Sequence, residues 1–222
     1  MSAGNRISGR SGDRPLRLAL PKGRNQVAAR QAFAAAGYPL NVLDDDQRKL
    51  MLSAEEEGFE LLLLKDWDIP LYVQYGIADF GIVGSDVLEE VDGDLLVPVR
   101  LVEGRCRLSF IGTAGSLPKP GAQVRLATKF PNTARSVLAE RPWGAEVVKL
   151  HGSIELGPIL GLSDLALDIV QTGRTLKDND LVELEVVREV APCLVLNRGS
   201  WHHRRDTLNE ILERLEEAEV VR

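Results

Sequence analysis

Asp164-Leu165-Ala166-Leu167-Asp168-Ile169-Val170-Gln171-Thr172-Gly173-Arg174-Thr175 carries an apolar strand into a short polar turn, and the residues after Thr175 can open a helix. Gly173 lets the backbone approach a ligand closely and takes angles closed to other residues. Thr172 and Thr175 offer hydroxyl donors, and Arg174 adds positive charge. The first N–H groups of a helix lack intrahelical acceptors and favour an anion. Asp168 stands at the end of the strand, where open α/β sheets bind ligands. Its carboxylate can accept hydrogen bonds from sugar hydroxyls or help to place a magnesium ion. Asp164 shares the face of Asp168 if the strand starts early enough, because even offsets align. The segment alone supports an anion site, with ordinary capping of a helix as the competing reading. No Gly-x4-Gly-Lys-Ser/Thr loop is present.

The same strand–loop–helix pattern recurs outward from this segment. Leu16 to Leu20 predicts a strand, Pro21-Lys22-Gly23-Arg24 a loop, and Asn25 to Ala36 a helix stopped by Gly37. Further strands are expected at Arg48 to Leu52, Phe59 to Leu64, Asp79 to Val83 and Leu95 to Val102. Helices are expected at Ile69 to Tyr75 and at Val87 to Val91, the latter capped by Ser85 or Asp86. After Gly104 the pattern restarts, with strands at Arg107 to Thr113, Val124 to Ala127 and Glu146 to Leu150 and a helix at Thr133 to Arg141. Extended runs at Leu181 to Val190 and Cys193 to Leu196 precede an amphipathic helix from Asp206 to Val220. Alternation of this kind predicts helix-flanked mixed sheets in two lobes. Residues 15–104 plus 190–222 are assigned to the first lobe and 105–189 to the second. Residues 1–14, rich in Gly, Ser and Arg, read as a disordered tail.

Composition narrows the function. Hydrophobic residues are 44% of the 222, enough for two compact cores, and aromatics only 5%, so those cores are aliphatic. A net charge of -6 without a long Lys/Arg run argues against a nucleic-acid binder. No apolar stretch approaches the ~20 residues of a membrane span, and the amino-terminal segment lacks the apolar run of a signal peptide. Cys106 and Cys193 lie in apolar strand-like runs and read as core residues. So little cysteine fits a reducing cytoplasm.

The segment from Asp164 to Thr175 is similar to the phosphoribosyl-pyrophosphate loop of phosphoribosyltransferases, with Asp168 in place of the second of their two adjacent acids and Leu167 in place of the first. Other segments follow in order. They are Leu18-Ala-Leu-Pro-Lys-Gly-Arg24, Arg48-Lys49-Leu50, Asp68-Ile-Pro-Leu-Tyr-Val73, Gly76-Ile-Ala-Asp-Phe-Gly-Ile-Val-Gly-Ser-Asp86, Cys106-Arg107-Leu108, Ala127-Thr-Lys-Phe-Pro-Asn132, Lys149-Leu-His-Gly-Ser-Ile-Glu-Leu156 and Gly161-Leu-Ser-Asp164. From Leu16 to about Asn197 the chain resembles the catalytic subunit of ATP phosphoribosyltransferase, short form.

That resemblance implies a fold similar to type II periplasmic binding proteins, with the active site in the cleft. It implies condensation of ATP with phosphoribosyl pyrophosphate, with magnesium, to give phosphoribosyl-ATP and pyrophosphate in the cytoplasm. It implies a dimer assembled with a regulatory subunit resembling histidyl-tRNA synthetase. Asp168, Lys22 and Arg24 are then the expected catalytic residues. Asp164, Gln171, Thr172, Gly173, Arg174 and Thr175 are expected to hold phosphoribosyl pyrophosphate. Arg48, Lys49, Lys129, Asn132, Gly152, Ser153 and Glu155 are expected to hold ATP, and no protein residue is assigned to the metal. Lys65 and Gln171 depart from the Arg and Glu common in the family. A binding protein of the periplasmic type and a phosphoribosyltransferase for another base are the rival readings.

Overall fold

The structure, a computed structural model, describes residues 14–44 and 48–222. Residues 1–13 of the expected tail lie outside the described residues. In chain order the elements are β1 (Leu16–Pro21), α1 (Arg24–Ala35), β2 (Met51–Ala54), β3 (Phe59–Leu64), α2 (Ile69–Gln74), β4 (Phe80–Gly84), α3 (Ser85–Val91) and β5 (Leu96–Arg100). Then come β6 (Cys106–Gly112), β7 (Gln123–Thr128), α4 (Pro131–Leu138), β8 (Gly144–Lys149), α5 (Leu156–Ile159), β9 (Leu165–Val170), α6 (Arg174–Lys177) and β10 (Val182–Val190). Last are β11 (Pro192–Leu196), α7 (Arg198–His203) and α8 (Arg205–Glu217). One compact unit runs up to Gly104 and resumes at Ala191–Arg222; the other is Arg105–Val190.

The first unit is a six-stranded mixed sheet in the order β2-β3-β1-β4-β11-β5. β1 pairs in parallel with β3 and β4, whereas β11 runs antiparallel to β4. Alternation along β1 and β4 divides the core. Leu18, Leu20, Phe80 and Ile82 face α1 and α8, while Ala19 and Val83 face α2 and α3. Ala28, Ala29 and Ala32 give α1 a small face, so Phe33 reaches the sheet and is fully buried. Each such large side chain contributes about 1.5–3 kcal/mol by burial. The stop after α1 has the expected glycine. Gly37 sits at φ 89°, its N–H donates to Ala34 O at 3.1 Å, and Tyr38 N–H donates to Phe33 O at 2.7 Å.

The second unit is a five-stranded sheet, β10-β6-β9-β7-β8. β7 is parallel to β8 and β9, and β6 is antiparallel to β9 and β10. Its order repeats that of the first unit. Each has a parallel trio, β3-β1-β4 or β8-β7-β9, followed by two further strands, the first of them antiparallel to the trio. The repeat lies in the topology and has no counterpart in internal sequence similarity.

Three local expectations are corrected. Arg14, assigned to the tail, places its guanidinium on Asp79, with Nη1 at 2.6 Å from Oδ2 and Nη2 at 3.1 Å from Oδ1. The strand expected at Arg48 to Leu52 is β2, Met51–Ala54, because pairing with β3 sets its limits. Neither Ser85 nor Asp86 caps α3. Gly84 holds the N-cap position, and the Ser85 hydroxyl instead accepts from the Ala191 N–H at 3.3 Å.

Candidate active site

In the second unit the chain leaves β7 for β8 on one side and reaches β9 on the other. The switch point between β7 and β9 is where open sheets of this kind bind ligands. Because β7, β8 and β9 are parallel, three loops share one sheet edge. They hold Lys129, then Gly152 and Ser153, then Gln171 to Gly173. The Thr128 hydroxyl donates to Leu167 O at 2.7 Å and accepts from Phe130 N–H at 3.0 Å, which ties the end of β7 to β9.

Asp168 is buried on the face of β9 that also carries Ala166 and Val170. The Lys129 ammonium lies 3.3 Å from its Oδ1 and 5.0 Å from the Phe130 ring centroid. The contact is electrostatic in character, since Oδ1 is buried without a hydrogen bond of good geometry among the described residues. Burial raises the Asp168 carboxyl above the usual carboxylate range. The Lys129 charge and the Ile169 N–H oppose that rise, and the negative charge of Glu155 adds to it. Lys129, expected on the ATP side, therefore stands with Asp168.

Glu155 occupies the N-cap position of α5 without a side-chain cap bond. Ile154, beside it, is buried among Ala127, Ala166 and Val170 and holds the loop on the sheet. Ser153 takes φ 48°, a left-handed conformation unusual for a residue with a side chain. Gln171 and Thr172 are exposed, and Gly173 turns the chain at φ 72°, ψ 6°. α6 starts at Arg174, so Thr175 lies inside its first turn rather than ahead of it. The Arg174 guanidinium makes a surface contact, 3.7 Å to Asp178, and the Arg174 N–H donates to the Thr172 hydroxyl at 3.4 Å. Asn132 lies in the first turn of α4, where its Oδ1 accepts from Arg135 at 3.0 Å.

Asp164 does not join this site. β9 begins only at Leu165, and the Asp164 carboxylate accepts from Arg125 N–H at 2.7 Å. It closes the opposite end of the strand, about 13 Å of extended chain from Asp168.

The first unit has its own switch point, between β1 and β4. Lys22 and Gly23 are exposed immediately after β1, and Arg24 opens α1 with its Nε 3.4 Å from Asn25 Oδ1. Gly23 has φ 83°, ψ −142°. Only glycine populates that region readily. Gly23→Ala is expected to cost about 1–3 kcal/mol in chemical denaturation, and an unchanged midpoint would refute the strain. Leu63 N–H donates to Leu50 O at 2.8 Å, so the register of β2 on β3 carries Lys49 and Arg48 to the sheet edge that bears Lys22 and Arg24. Arg48 and Lys49 are both exposed.

A family model described as HisG: ATP phosphoribosyltransferase matches residues 65–217. The chain belongs to the ATP phosphoribosyltransferase family. It is 42% identical over 202 residues to an ATP phosphoribosyltransferase of Thermus thermophilus, covering 91% of this chain and 96% of that one. It is 40% identical over 202 residues to one from a Geobacillus species, covering 91% and 98%. An ATP phosphoribosyl transferase (HisG:HisZ) complex from Thermotoga maritima contains a chain that superposes with a TM-score of 0.75 at 32% identity, covering 91% of this chain and 98% of that one. The segment matched by the ATP phosphoribosyltransferase model contains Lys129, Glu155, Asp168 and the turn at Gly173; Lys22, Arg24, Arg48 and Lys49 precede it.

Sequence reading passed over a polar row beside Asp168. Arg107 and Ser109 alternate on β6, and Glu183 faces them from β10. A buried serine two residues after Arg107, inside the largely apolar Cys106–Gly112 strand, was the available signal.

Proposed function

We propose that the chain transfers the phosphoribosyl group of phosphoribosyl pyrophosphate to N1 of the adenine ring of ATP, the first step of histidine biosynthesis. The bond between the ribose carbon and pyrophosphate breaks, and its electron pair leaves with the pyrophosphate. The lone pair of N1 forms the new bond. The ring nitrogen is an adequate nucleophile as it stands, so the protein acts by positioning and electrostatics.

The observation that carries this reading is the buried Asp168 carboxylate beside Lys129, placed immediately before the left-handed turn at Gly173 in a chain of this family. Asp168 accepts the ribose hydroxyls, and its negative charge favours the cationic sugar of the transition state. Thr172 to Thr175 offer N–H and hydroxyl donors to the 5-phosphate. Lys129 opposes the rise that burial imposes on the Asp168 carboxyl and stays close to the leaving anion. Lys22, Arg24, Arg48 and Lys49 supply cations for the phosphates of the nucleotide, and Gly152 to Glu155 shape the purine contact.

Among the described residues no group of three or more His, Cys, Asp or Glu is arranged to hold a metal. Magnesium keeps several waters and shares phosphate oxygens rather than needing a protein cage. Carried on the pyrophosphate, it would supply charge neutralisation to the leaving group.

The Thermotoga relative was solved as a HisG:HisZ complex. By analogy this chain forms a dimer that assembles with a separate regulatory subunit resembling histidyl-tRNA synthetase. Among the described residues no helix is long and apolar enough to cross a membrane, and a cytoplasmic location belongs to the same reading. With ATP, phosphoribosyl pyrophosphate and magnesium, pyrophosphate release is expected, faster with the partner subunit present. Free adenine in place of ATP is expected to give none. Absence of release with ATP under both conditions would overturn the assignment.

A further inference from the structure

Arg107, Ser109 and Asp168 lie on one face of the second sheet. Ser109 stands directly across from Asp168 in the antiparallel pairing of β6 and β9. Opposite residues of such a pair have Cβ atoms about 4.5–5.5 Å apart, so rotation about χ1 brings the Ser109 hydroxyl within reach of the Asp168 carboxylate. A fully buried hydroxyl beside a buried carboxylate would ordinarily donate to it. Here it does not. Ser109 Oγ donates to Glu183 Oε1 at 2.6 Å. Arg107 fixes that acceptor through Nε at 2.8 Å to Oε1 and a second nitrogen at 2.9 Å to Oε2. The fork keeps Glu183 charged, and the Arg107 guanidinium with the Ser109 hydroxyl holds its carboxyl below the usual range.

A serine hydroxyl has one proton to give. With that proton committed to Glu183, Asp168 Oδ1 has no hydrogen-bond donor of good geometry among the described residues, and the Lys129 ammonium lies 3.3 Å from it. A buried carboxylate oxygen left in this state needs a reason. We infer that Glu183, oriented by Arg107, is a positioning residue that draws the Ser109 hydroxyl away from Asp168, so that the Asp168 carboxylate stays open to the hydroxyls of an incoming sugar. The charged groups acting on Asp168 are Lys129 from the loop after β7 and Glu155 from the turn before α5. Glu183 and Arg107 act one strand further away, through Ser109. The sugar in this inference rests on the function proposed above; the hydroxyl switch does not.

The test is a double-mutant cycle in the full chain with its regulatory partner. Glu183→Ala releases the Ser109 hydroxyl, which then turns to Asp168 and caps it. KM for phosphoribosyl pyrophosphate is expected to rise about 10-fold, the worth of one hydrogen bond to a charged group, with a smaller change in KM for ATP. The Asp168 carboxyl, followed by carbon-13 NMR, is expected to titrate lower than in the wild type. Glu183→Ala combined with Ser109→Ala removes the hydroxyl as well. Both readouts should then return to the values of Ser109→Ala alone, whereas loss of a merely structural ion pair would persist in the double variant. The inference is overturned if the double variant retains the Glu183→Ala defect, or if the Asp168 titration does not move in Glu183→Ala. The NMR arm decides the hydroxyl switch even if the wild type releases no pyrophosphate, a result that would remove the sugar and the proposed function instead.

Discussion

Asp168→Asn is expected to lower kcat/KM for phosphoribosyl pyrophosphate by about 100- to 1,000-fold, the loss that follows removal of one preorganised transition-state contact, while making the folded chain more stable at neutral pH. Both effects come from one carboxylate. Burial raises it above its ordinary range, and Lys129 only partly offsets that. Between the unfolded value and the raised folded value the native state binds more protons than the unfolded state. Stability conferred through this residue therefore falls as pH rises through that window, and the penalty is fully present above it. Asparagine carries no such penalty. The variant should match the wild type in acid below the window and gain on it as pH rises, by about 1–2 kcal/mol at its largest. Urea denaturation at several pH values, beside steady-state kinetics, checks the pair. A variant that loses activity and stability together would show that Asp168 holds the fold rather than a ligand.

Asp79→Ala is the opposite case, and a loss of about 3 kcal/mol or more in stability is expected. Asp79 is 1% exposed and accepts from four donors on three residues, at both ends of the chain. They are Arg14 Nη1 and Nη2, the Arg17 N–H at 2.8 Å and the Ser200 hydroxyl at 2.7 Å. Alanine leaves the Arg17 N–H and the Ser200 hydroxyl with no acceptor in place of the carboxylate. Thermal melting should move down by about 10 °C, and kcat of the protein that remains folded should be little changed. A shift below 2 °C would mean that water replaces the carboxylate at no cost.

These two acids show what the sequence could and could not reveal. Both stand beside apolar strand residues, Asp79 just before β4 and Asp168 inside β9. Their roles differ because one meets four donors and the other has Lys129 beside it and a buried oxygen without a well-placed donor among the described residues, and partners so distant in sequence are invisible in a local pattern. Periodicity and glycine placement located nearly every strand and the close of α1 at Gly37, since both signals are local. Even spacing puts Asp164 on the face of Asp168 but not at its end of the strand, because four residues of extended chain separate the two by about 13 Å. The neighbourhood of Lys129 and Asp168 is invisible in the sequence because the pairing of β7 with β9 brings the two together. The network of Arg107, Ser109 and Glu183 joins β6 to β10 across more than seventy residues, and no spacing rule links them.

The position of β11 has a consequence for how the protein is made. β11 fills a gap in the first sheet between β4 and β5, yet it follows the whole of the second unit in the chain. As the polypeptide leaves the ribosome, Arg105–Val190 is the first stretch to hold all the strands of its own sheet. The earlier strands wait with the exposed edges of β4 and β5 until Pro192–Leu196 arrives to join them. Completion order therefore runs against sequence order: the later-encoded module holds all its strands first, and the amino-terminal module is completed last.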